Sequence, residues 1–231
     1  MTPERILRGL QRRLRNRLQP LNACRGVFAT FEEARQNAPR IKPLGYEAAG
    51  SSTWYQDRMD KVTLEDYPVL FWLGRLIRPG DRLVDLAGST GVTYRLFRRR
   101  LDLPEDFEWQ VSELPEVVEL GRQLNTAHPV PHLSFTDDWR AIDGAAIMLS
   151  AGALQFFSER LVTMLDTVRH CPEHIIVNRL PLVEDGPGFI TLHNTGVSIS
   201  PMRVESHAEF LADMASRGYD LVDEWLSLIH I

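Results

Sequence analysis

The sequence predicts an α/β fold in which a mostly parallel sheet carries helices on both faces. From residue 82 onward, five short apolar segments alternate with helical segments, as is typical of parallel strands joined by helical crossovers. The first apolar segment, 82–86, runs directly into a turn of small residues at 87–91, where a helix begins. Sheets of this kind bind ligands at the carboxyl ends of their strands, where the strand order reverses. We therefore expect a Rossmann-like, doubly wound domain with a ligand at this turn.

The individual elements are predicted from apolar periodicity and from turn residues. The predicted core strands are 82–86, 108–112, 132–135, 145–149 and 174–178, with a sixth strand at 219–225. The predicted helices are 31–38, 67–77, 90–100, 114–125, 157–170 and 207–217. The segment 181–201 follows the fifth strand and holds a strand or hairpin arm at 189–192, and we expect it to form a substrate lid.

Three parts are expected along the chain. Residues 1–60 form a basic N-terminal helical extension and linker, 61–225 the Rossmann-like domain, and 226–231 a non-native tail. The last six residues match one reading frame of a transposon end used in preparing sequencing libraries. On that interpretation the native C-terminus is replaced and the domain is truncated before its last strand; the alternative is a genuine short apolar tail.

Composition predicts a cytoplasmic protein without a metal site. The chain has 231 residues, of which 44% are hydrophobic and 25% charged, an ordinary globular profile. Its two cysteines, Cys24 and Cys171, form neither a disulfide framework nor a metal-ligand spacing, and its seven histidines form no metal signature. The first twenty residues lack the apolar core of a signal peptide, and no segment is apolar enough to span a bilayer.

Positive charge is concentrated at the N-terminus. Residues 1–25 carry seven arginines and one acidic residue, Glu4, a net charge of +6. The remaining residues therefore carry a net charge of −11, which gives the total of −5. An acidic body lacks the basic face that nucleic-acid binding requires. Apolar residues at helical spacing between positions 6 and 18 indicate a basic amphipathic helix. This helix either contacts a partner or the inner membrane face peripherally, or packs on the body of the protein.

The turn at 87–91 suits a nucleotide-like ligand, because small side chains let a ligand approach the backbone closely. A nicotinamide dinucleotide site needs Gly-x-Gly-x-x-Gly, but Ala87, Ser89 and Val92 occupy those positions. A P-loop needs a lysine after its last glycine, and Val92 stands there instead. The candidate ligand contacts are Asp85 at the strand end and Ala87, Gly88, Ser89 and Gly91 in the turn.

Glu113 ends the second strand, 22 residues after Gly91. An acidic side chain at that place accepts hydrogen bonds from the ribose hydroxyls of an adenosine. The alternatives are an ordinary strand-to-helix turn and a solvated loop glutamate, and the pairing of the two features favours the ligand.

Further candidates follow the later strands. Asp137 could meet an adenine amino group, although helix capping by Asp137 or Asp138 is an equal alternative. Ser150 begins a stretch of small residues that leaves room for ligands, and Gln155 lines the same cleft.

Candidate catalytic residues are fewer. Asn178 or Arg179 could orient a substrate oxygen at the end of the fifth strand. His193 is a candidate general base because imidazole titrates near neutral pH, and the alternative is an exposed bystander.

Several blocks together resemble known methyltransferases. Residues 84–91 (VDLAGSTG) resemble the first motif of class I S-adenosylmethionine-dependent methyltransferases, Asp-x-Gly-Gly-x-x-Gly, with Ala87 in place of the first glycine. Residues 109–115 (WQVSELP) resemble the second strand of small-molecule O-methyltransferases. Residues 66–73, 150–155, 178–181 and 191–194 resemble a bacterial family of uncharacterised methyltransferase candidates, in which glutamine is expected at His193. The resemblance covers about 46–225.

The resemblance implies S-adenosylmethionine as cofactor, held by Asp85, Ala87, Gly88, Gly91 and Glu113, and methyl transfer to a small-molecule or sugar-like acceptor. The alternative function is a non-catalytic Rossmann-like module that binds a partner or membrane surface through residues 1–20. A nicotinamide oxidoreductase is disfavoured by the missing glycines.

Overall fold

The computed structural model describes residues 21–45 and 61–226. The predicted N-terminal helix within residues 1–20, most of the linker and nearly all of the suspected tail lie outside the described residues. Their predictions therefore stay predictions.

The described chain contains nine strands and six α-helices. The strands are β1 (Cys24–Phe28), β2 (Arg82–Leu86), β3 (Glu108–Ser112), β4 (Leu133–Thr136), β5 (Ile147–Ala151), β6 (His174–Asn178), β7 (Leu182–Val183), β8 (Phe189–Asn194) and β9 (Ile199–Ser206). The helices are α1 (Phe31–Gln36), α2 (Tyr67–Leu76), α3 (Val92–Phe97), α4 (Pro115–Ala127), α5 (Leu161–Leu165) and α6 (His207–Ser216). Short 3₁₀ turns cover Leu64–Asp66, Trp139–Ile142 and Leu154–Phe156.

The central sheet confirms the predicted fold class. Its five strands run parallel in the order β4-β3-β2-β5-β6, and all five predicted core strands are present within two residues of their expected bounds. Chain order reverses at β2, which pairs with β3 on one side and β5 on the other. The turn after β2 therefore lies at the switch point of the sheet, where ligands of such folds bind.

Helices cover both faces of this sheet because alternate strand residues point to opposite faces. On one face, Leu83 and the fully buried Trp109 belong to a core cluster with residues of α2, α3 and α4. On the other face, Val84 and Met148 cluster with residues of α5 and α6. Burial on two faces explains why the strands of this sheet are so apolar in sequence.

A second, four-stranded sheet with the order β1-β8-β9-β7 was not predicted. β8 and β9 form an antiparallel hairpin from Phe189↔Val204 to Asn194↔Ile199, and β1 pairs antiparallel with β8. The segment expected to be a lid is therefore largely a paired sheet. The strand predicted at 189–192 is confirmed, and residues 24–28 of the predicted extension contribute the edge strand.

Three local predictions need correction. The sixth strand predicted at 219–225 is wrong: residues 219–226 form no strand. Side chains anchor them instead, because Trp225 Nε1 donates to Asn178 Oδ1 at 3.1 Å and the Tyr219 hydroxyl donates to Pro172 O at 2.6 Å. Helix α5 covers five residues of the predicted 157–170, and α3 begins at Val92 because Gly91, at φ 78°, caps it in the left-handed region.

Candidate active site

A cavity of about 840 Å³ opens at the carboxyl ends of β2, β5 and β6. The second sheet closes its far side with residues of β1, β8 and β9. The predicted site residues that line it are Asp85, Ala87, Gly88, Ser89, Asn178, Arg179 and His193, together with Gln155. The remaining predicted residues, Gly91, Glu113, Asp137 and Ser150, lie outside this lining.

The turn after β2 is tightly folded and leaves no space for larger side chains. Ala87 and Ser89 both have φ near 55°, in the left-handed region where a Cβ is strained. A Cβ added at Gly88 would lie 2.4 Å from Asp85 Cγ, so glycine is required there. The Ala87 amide donates to Ser112 O at 2.7 Å, which ties the turn to the end of β3.

Asp85 is a buried carboxyl beneath this turn, with 1% of its surface exposed. Trp109 Nε1 donates a hydrogen bond to its Oδ2 at 3.2 Å. Burial raises the pKa of Asp85 to about 7; the Trp109 hydrogen bond opposes the shift and the charge of Glu113 adds to it. Asp85 is therefore able to change its protonation state near neutral pH.

Glu113 lies directly beside the turn, as the sequence predicts. Its Oε1 accepts from the Ser89 amide at 3.2 Å and its Oε2 from the Leu114 amide at 2.8 Å. Burial is the largest influence on its pKa and raises it, while the two amides oppose the shift. The carboxylate is thus fixed in direction by backbone donors before any ligand binds.

The aspartates after β4 have separate roles. Asp138 caps the 3₁₀ turn at Trp139–Ile142, accepting from the Arg140 amide at 2.9 Å. Asp137 is exposed. Capping therefore falls to Asp138, and Asp137 is the carboxylate at this strand end without a capping role.

Buried polar atoms without a hydrogen-bond partner concentrate around the turn and the cavity. Among the described residues they include Ser89 Oγ, Thr90 Oγ1, Ser150 Oγ, Gln155 Oε1 and Arg179 Nε. Such atoms are rare in folded proteins and carry an energetic cost unless a ligand or water satisfies them. Together with the cavity that Gly88 lines, they fit a polar ligand at the end of β2.

The Asn178 side chain makes hydrogen bonds to two distant segments of the chain. Its amide nitrogen donates to Glu65 O at 3.0 Å, and its oxygen accepts from Trp225 Nε1 at 3.1 Å. Asn178 is buried to 2% exposure, so it joins β6 to the segment before α2 and to the C-terminal residues.

Arg179 faces the cavity and is held by an aspartate that the sequence analysis missed. Arg179 Nη2 contacts Asp66 Oδ1 at 2.6 Å and Thr63 Oγ1 at 3.0 Å, while Asp66 Oδ2 accepts from the Thr63 amide at 2.9 Å. The signal for Asp66 was the Thr-x-x-Asp capping box at 63–66. Its partner lies 113 residues away and has no local signature.

His193 lies on β8 and lines the cavity from the side opposite the turn. It is half-buried, and its ring centroid is 5.9 Å from that of Phe156. The histidine is therefore within the cavity wall rather than in an exposed loop.

Within 21–45 and 61–226, no cluster of histidine, cysteine or acidic residues could hold a metal ion. No helix of that part of the chain has the length and apolarity to cross a membrane.

Comparison with known proteins shows the fold. No protein-family model and no curated protein matches the sequence. The structure is similar to a complex between the Haloferax volcanii Trm112 methyltransferase activator and a candidate methyltransferase, with a TM-score of 0.53 and 17% identity over 80% of both chains. It is also similar to OxaC in complex with SAH and oxaline, with a TM-score of 0.53 and 19% identity over 77% of this chain and 47% of that one. This chain thus spans about half of OxaC, and it shares the fold of these methyltransferases.

Proposed function

We propose that this protein is an S-adenosylmethionine-dependent methyltransferase that acts on a small-molecule acceptor. The observation that carries the proposal is the contact between the Ser89 amide and Glu113 Oε1 at 3.2 Å. It places a fixed carboxylate beside a tight turn of small residues at the switch point of a parallel sheet, next to a large cavity. This is the arrangement that adenosine-containing ligands use.

The residues that would hold the cofactor are those around the turn. Ala87, Gly88, Ser89 and Gly91 would offer backbone at close range, Glu113 would accept the ribose hydroxyls, and Asp85 would lie beneath the turn. Ser150, whose hydroxyl is buried without a partner, and Asp137 would complete the site at the neighbouring strand ends. The similarity to OxaC, which was solved with SAH and oxaline, supports this class of ligand.

When bound, S-adenosylmethionine supplies an electrophilic methyl group on a sulfonium. The task of this chain is then to hold the acceptor in line and to exclude water. The second sheet closes the cavity over the strand ends and serves that purpose. His193 is the candidate general base, because it lines the cavity and imidazole can accept a proton near neutral pH.

Binding of S-adenosylmethionine, measured by calorimetry, tests the proposal. Glu113→Ala should weaken binding at least about tenfold, because the ribose loses a charged acceptor worth roughly 1.5–3 kcal/mol. The matched control is Glu119→Ala, an exposed residue on α4 whose carboxylate accepts from Gln123, which should bind as the parent does.

Gly88→Ala should weaken cofactor binding further, because the new Cβ would collide with Asp85. Gly74→Ala is its control, since a Cβ there meets only Leu101 Cδ2 at an ordinary 3.7 Å. Failure of the folded parent protein to bind S-adenosylmethionine would overturn the proposed function.

The second candidate is a non-catalytic module that binds a partner protein or the inner membrane face through residues 1–20. The net charge of +6 in residues 1–25 favours it. Deleting residues 1–20 would abolish such binding and would leave cofactor affinity unchanged.

The exposed, unpaired Cys24 and Cys171 support a reducing compartment such as the cytoplasm.

A further inference from the structure

Gln155 and Arg179 form a polar pair on the cavity wall, on either side of Gly152. Gln155 Nε2 donates to Gly152 O at 3.0 Å. The Gly152 amide in turn donates to Asn178 O at 2.8 Å, and a Cβ at Gly152 would lie 3.7 Å from Arg179 Cβ and Cδ. The ends of β5 and β6 therefore bring the two side chains to the same part of the cavity.

Each of these side chains has one buried polar atom without a partner. Gln155 is 8% exposed, and its Oε1 has no hydrogen-bond donor. The amide cannot turn over, because Oε1 would then face the Gly152 carbonyl oxygen. Arg179 Nε likewise has no acceptor. The pair therefore offers one hydrogen-bond acceptor and one donor.

The electrostatics of the pair disfavour a charged ligand. Arg179 Nη2 already lies 2.6 Å from Asp66, whose side chain is 10% exposed, so the positive charge of the guanidinium is balanced. A carboxylate has no proton to donate to Gln155, and an ammonium group has no lone pair to accept from Arg179. A neutral hydroxyl satisfies both atoms at once.

We propose that Gln155 and Arg179 bind the hydroxyl group of the acceptor and that this oxygen receives the methyl group. The inference rests on the proposed function. In the reaction the hydroxyl oxygen forms a bond to the methyl carbon, and the carbon–sulfur bond breaks with its electron pair remaining on sulfur. The hydroxyl proton, which bonds to Gln155 Oε1 in the bound acceptor, is transferred to His193, which lines the same cavity with its ring centroid 5.9 Å from that of Phe156. The product is a neutral methyl ether.

The experiment uses the full chain with methyl-labelled S-adenosylmethionine and the low-molecular-weight fraction of a cell extract. We expect label in a product that survives mild alkali and releases labelled methyl iodide in hot hydriodic acid, as a methyl ether does. Alkali-labile label would indicate a methyl ester, and label that resists hydriodic acid would indicate a methylated amine. Either result, or no label from protein that binds the cofactor, overturns the inference and leaves cofactor binding intact.

Two variants test the residues themselves. Gln155→Met keeps the side-chain volume but removes the acceptor oxygen, and Arg179→Lys keeps a cation for Asp66 but removes the Nε donor. Each should lower labelling roughly tenfold or more, because a buried polar group of the acceptor loses its partner. Affinity for S-adenosylmethionine, measured by calorimetry, should stay within about twofold of the parent, since neither atom is assigned to the cofactor.

The control is Gln123→Met, at an exposed position on α4 whose amide bonds only Glu119 in the described structure. It should label as the parent does. Unchanged labelling in Gln155→Met would overturn the inference. If the parent protein did not bind S-adenosylmethionine, the proposed function would be overturned instead, so the two failures are distinguishable.

Discussion

The two sides of the cavity are built by different kinds of contact. On the turn side, Asp85 meets Trp109 and Ser89 meets Glu113, and each pair is 24 residues apart in the chain. On the far side, Cys24 of β1 pairs with His193 of β8, and the neighbouring Arg179 contacts Asp66 across 113 residues. The turn side is thus assembled by one strand–helix–strand unit, whereas the far side needs segments from both ends of the chain.

This difference separates a ligand-binding element that can form early from a wall that depends on the whole fold. Local contacts close short loops at low entropic cost, whereas distant pairs form only when the rest of the protein has folded. Mutations on the far side should therefore cost more stability than mutations on the turn side.

The largest expected loss of unfolding free energy is on the far side, in Asp66→Ala. The substitution leaves the Arg179 guanidinium, 19% exposed, without its carboxylate, and it removes the acceptor for the Thr63 amide. Breaking a largely buried ion pair from one side costs about 3–5 kcal/mol of unfolding free energy. Urea unfolding measures this loss.

An exposed ion pair provides the control for Asp66. Asp166 pairs with Arg217, and both side chains are more than a third exposed. Asp166→Ala should cost about 1 kcal/mol or less. Equal losses at Asp66 and Asp166 would show that the pair beside the cavity is no more important to the fold than a surface contact.

The same contrast explains which parts of the molecule could be predicted from sequence. The five strands of the central sheet are buried on both faces and appear as continuous apolar runs, so their positions were predicted closely. The position of Glu113 beside the turn could be predicted because the turn follows β2 and Glu113 follows β3. These two strands are adjacent in sequence and in the sheet.

The second sheet had no comparable signal. β1 is mostly exposed and contains Gly26 at φ 77°, so it lacks both the alternation and the apolar run of a strand. Residues 219–225 show the opposite error, because an apolar segment was predicted as a strand. Trp225 packs against the core through its side chain without pairing to β6. Asn178 lines the cavity, so its predicted role in orienting a substrate oxygen stays a prediction. Its hydrogen bonds to Glu65 and Trp225 join distant segments and could not be predicted.

A smaller effect on the turn side is a pH-dependent stability due to Asp85. Burial raises the pKa of Asp85 from an ordinary 3.8 to about 7, so the folded state keeps a proton that the unfolded state has lost. Stability therefore falls as pH rises from about 4 to about 7. Asp85→Asn, which is neutral throughout, should gain on the order of 2–3 kcal/mol over the parent between pH 5 and pH 8.

Thermal unfolding of both proteins at pH 5 and pH 8 measures this difference. Some pH dependence should remain in Asp85→Asn, because burial also raises the pKa of Glu113. Parallel pH profiles for the two proteins would show that Asp85 is already ionised at pH 5 in the folded state.

The smallest expected effect on the free energy of unfolding is that of Ala87→Gly, within the turn itself. Ala87 has φ 56°, a conformation that costs an L-residue roughly 1–2 kcal/mol, while glycine adopts it freely. The greater freedom of glycine in the unfolded chain opposes this gain by about 0.4–1 kcal/mol, so the net stabilisation should lie between about zero and 1.6 kcal/mol. The backbone amide that donates to Ser112 O is retained, and cofactor affinity should stay equal or rise. A loss of stability would mean that the methyl group of Ala87 contributes packing worth more than the strain it causes, and that this turn has adapted to alanine.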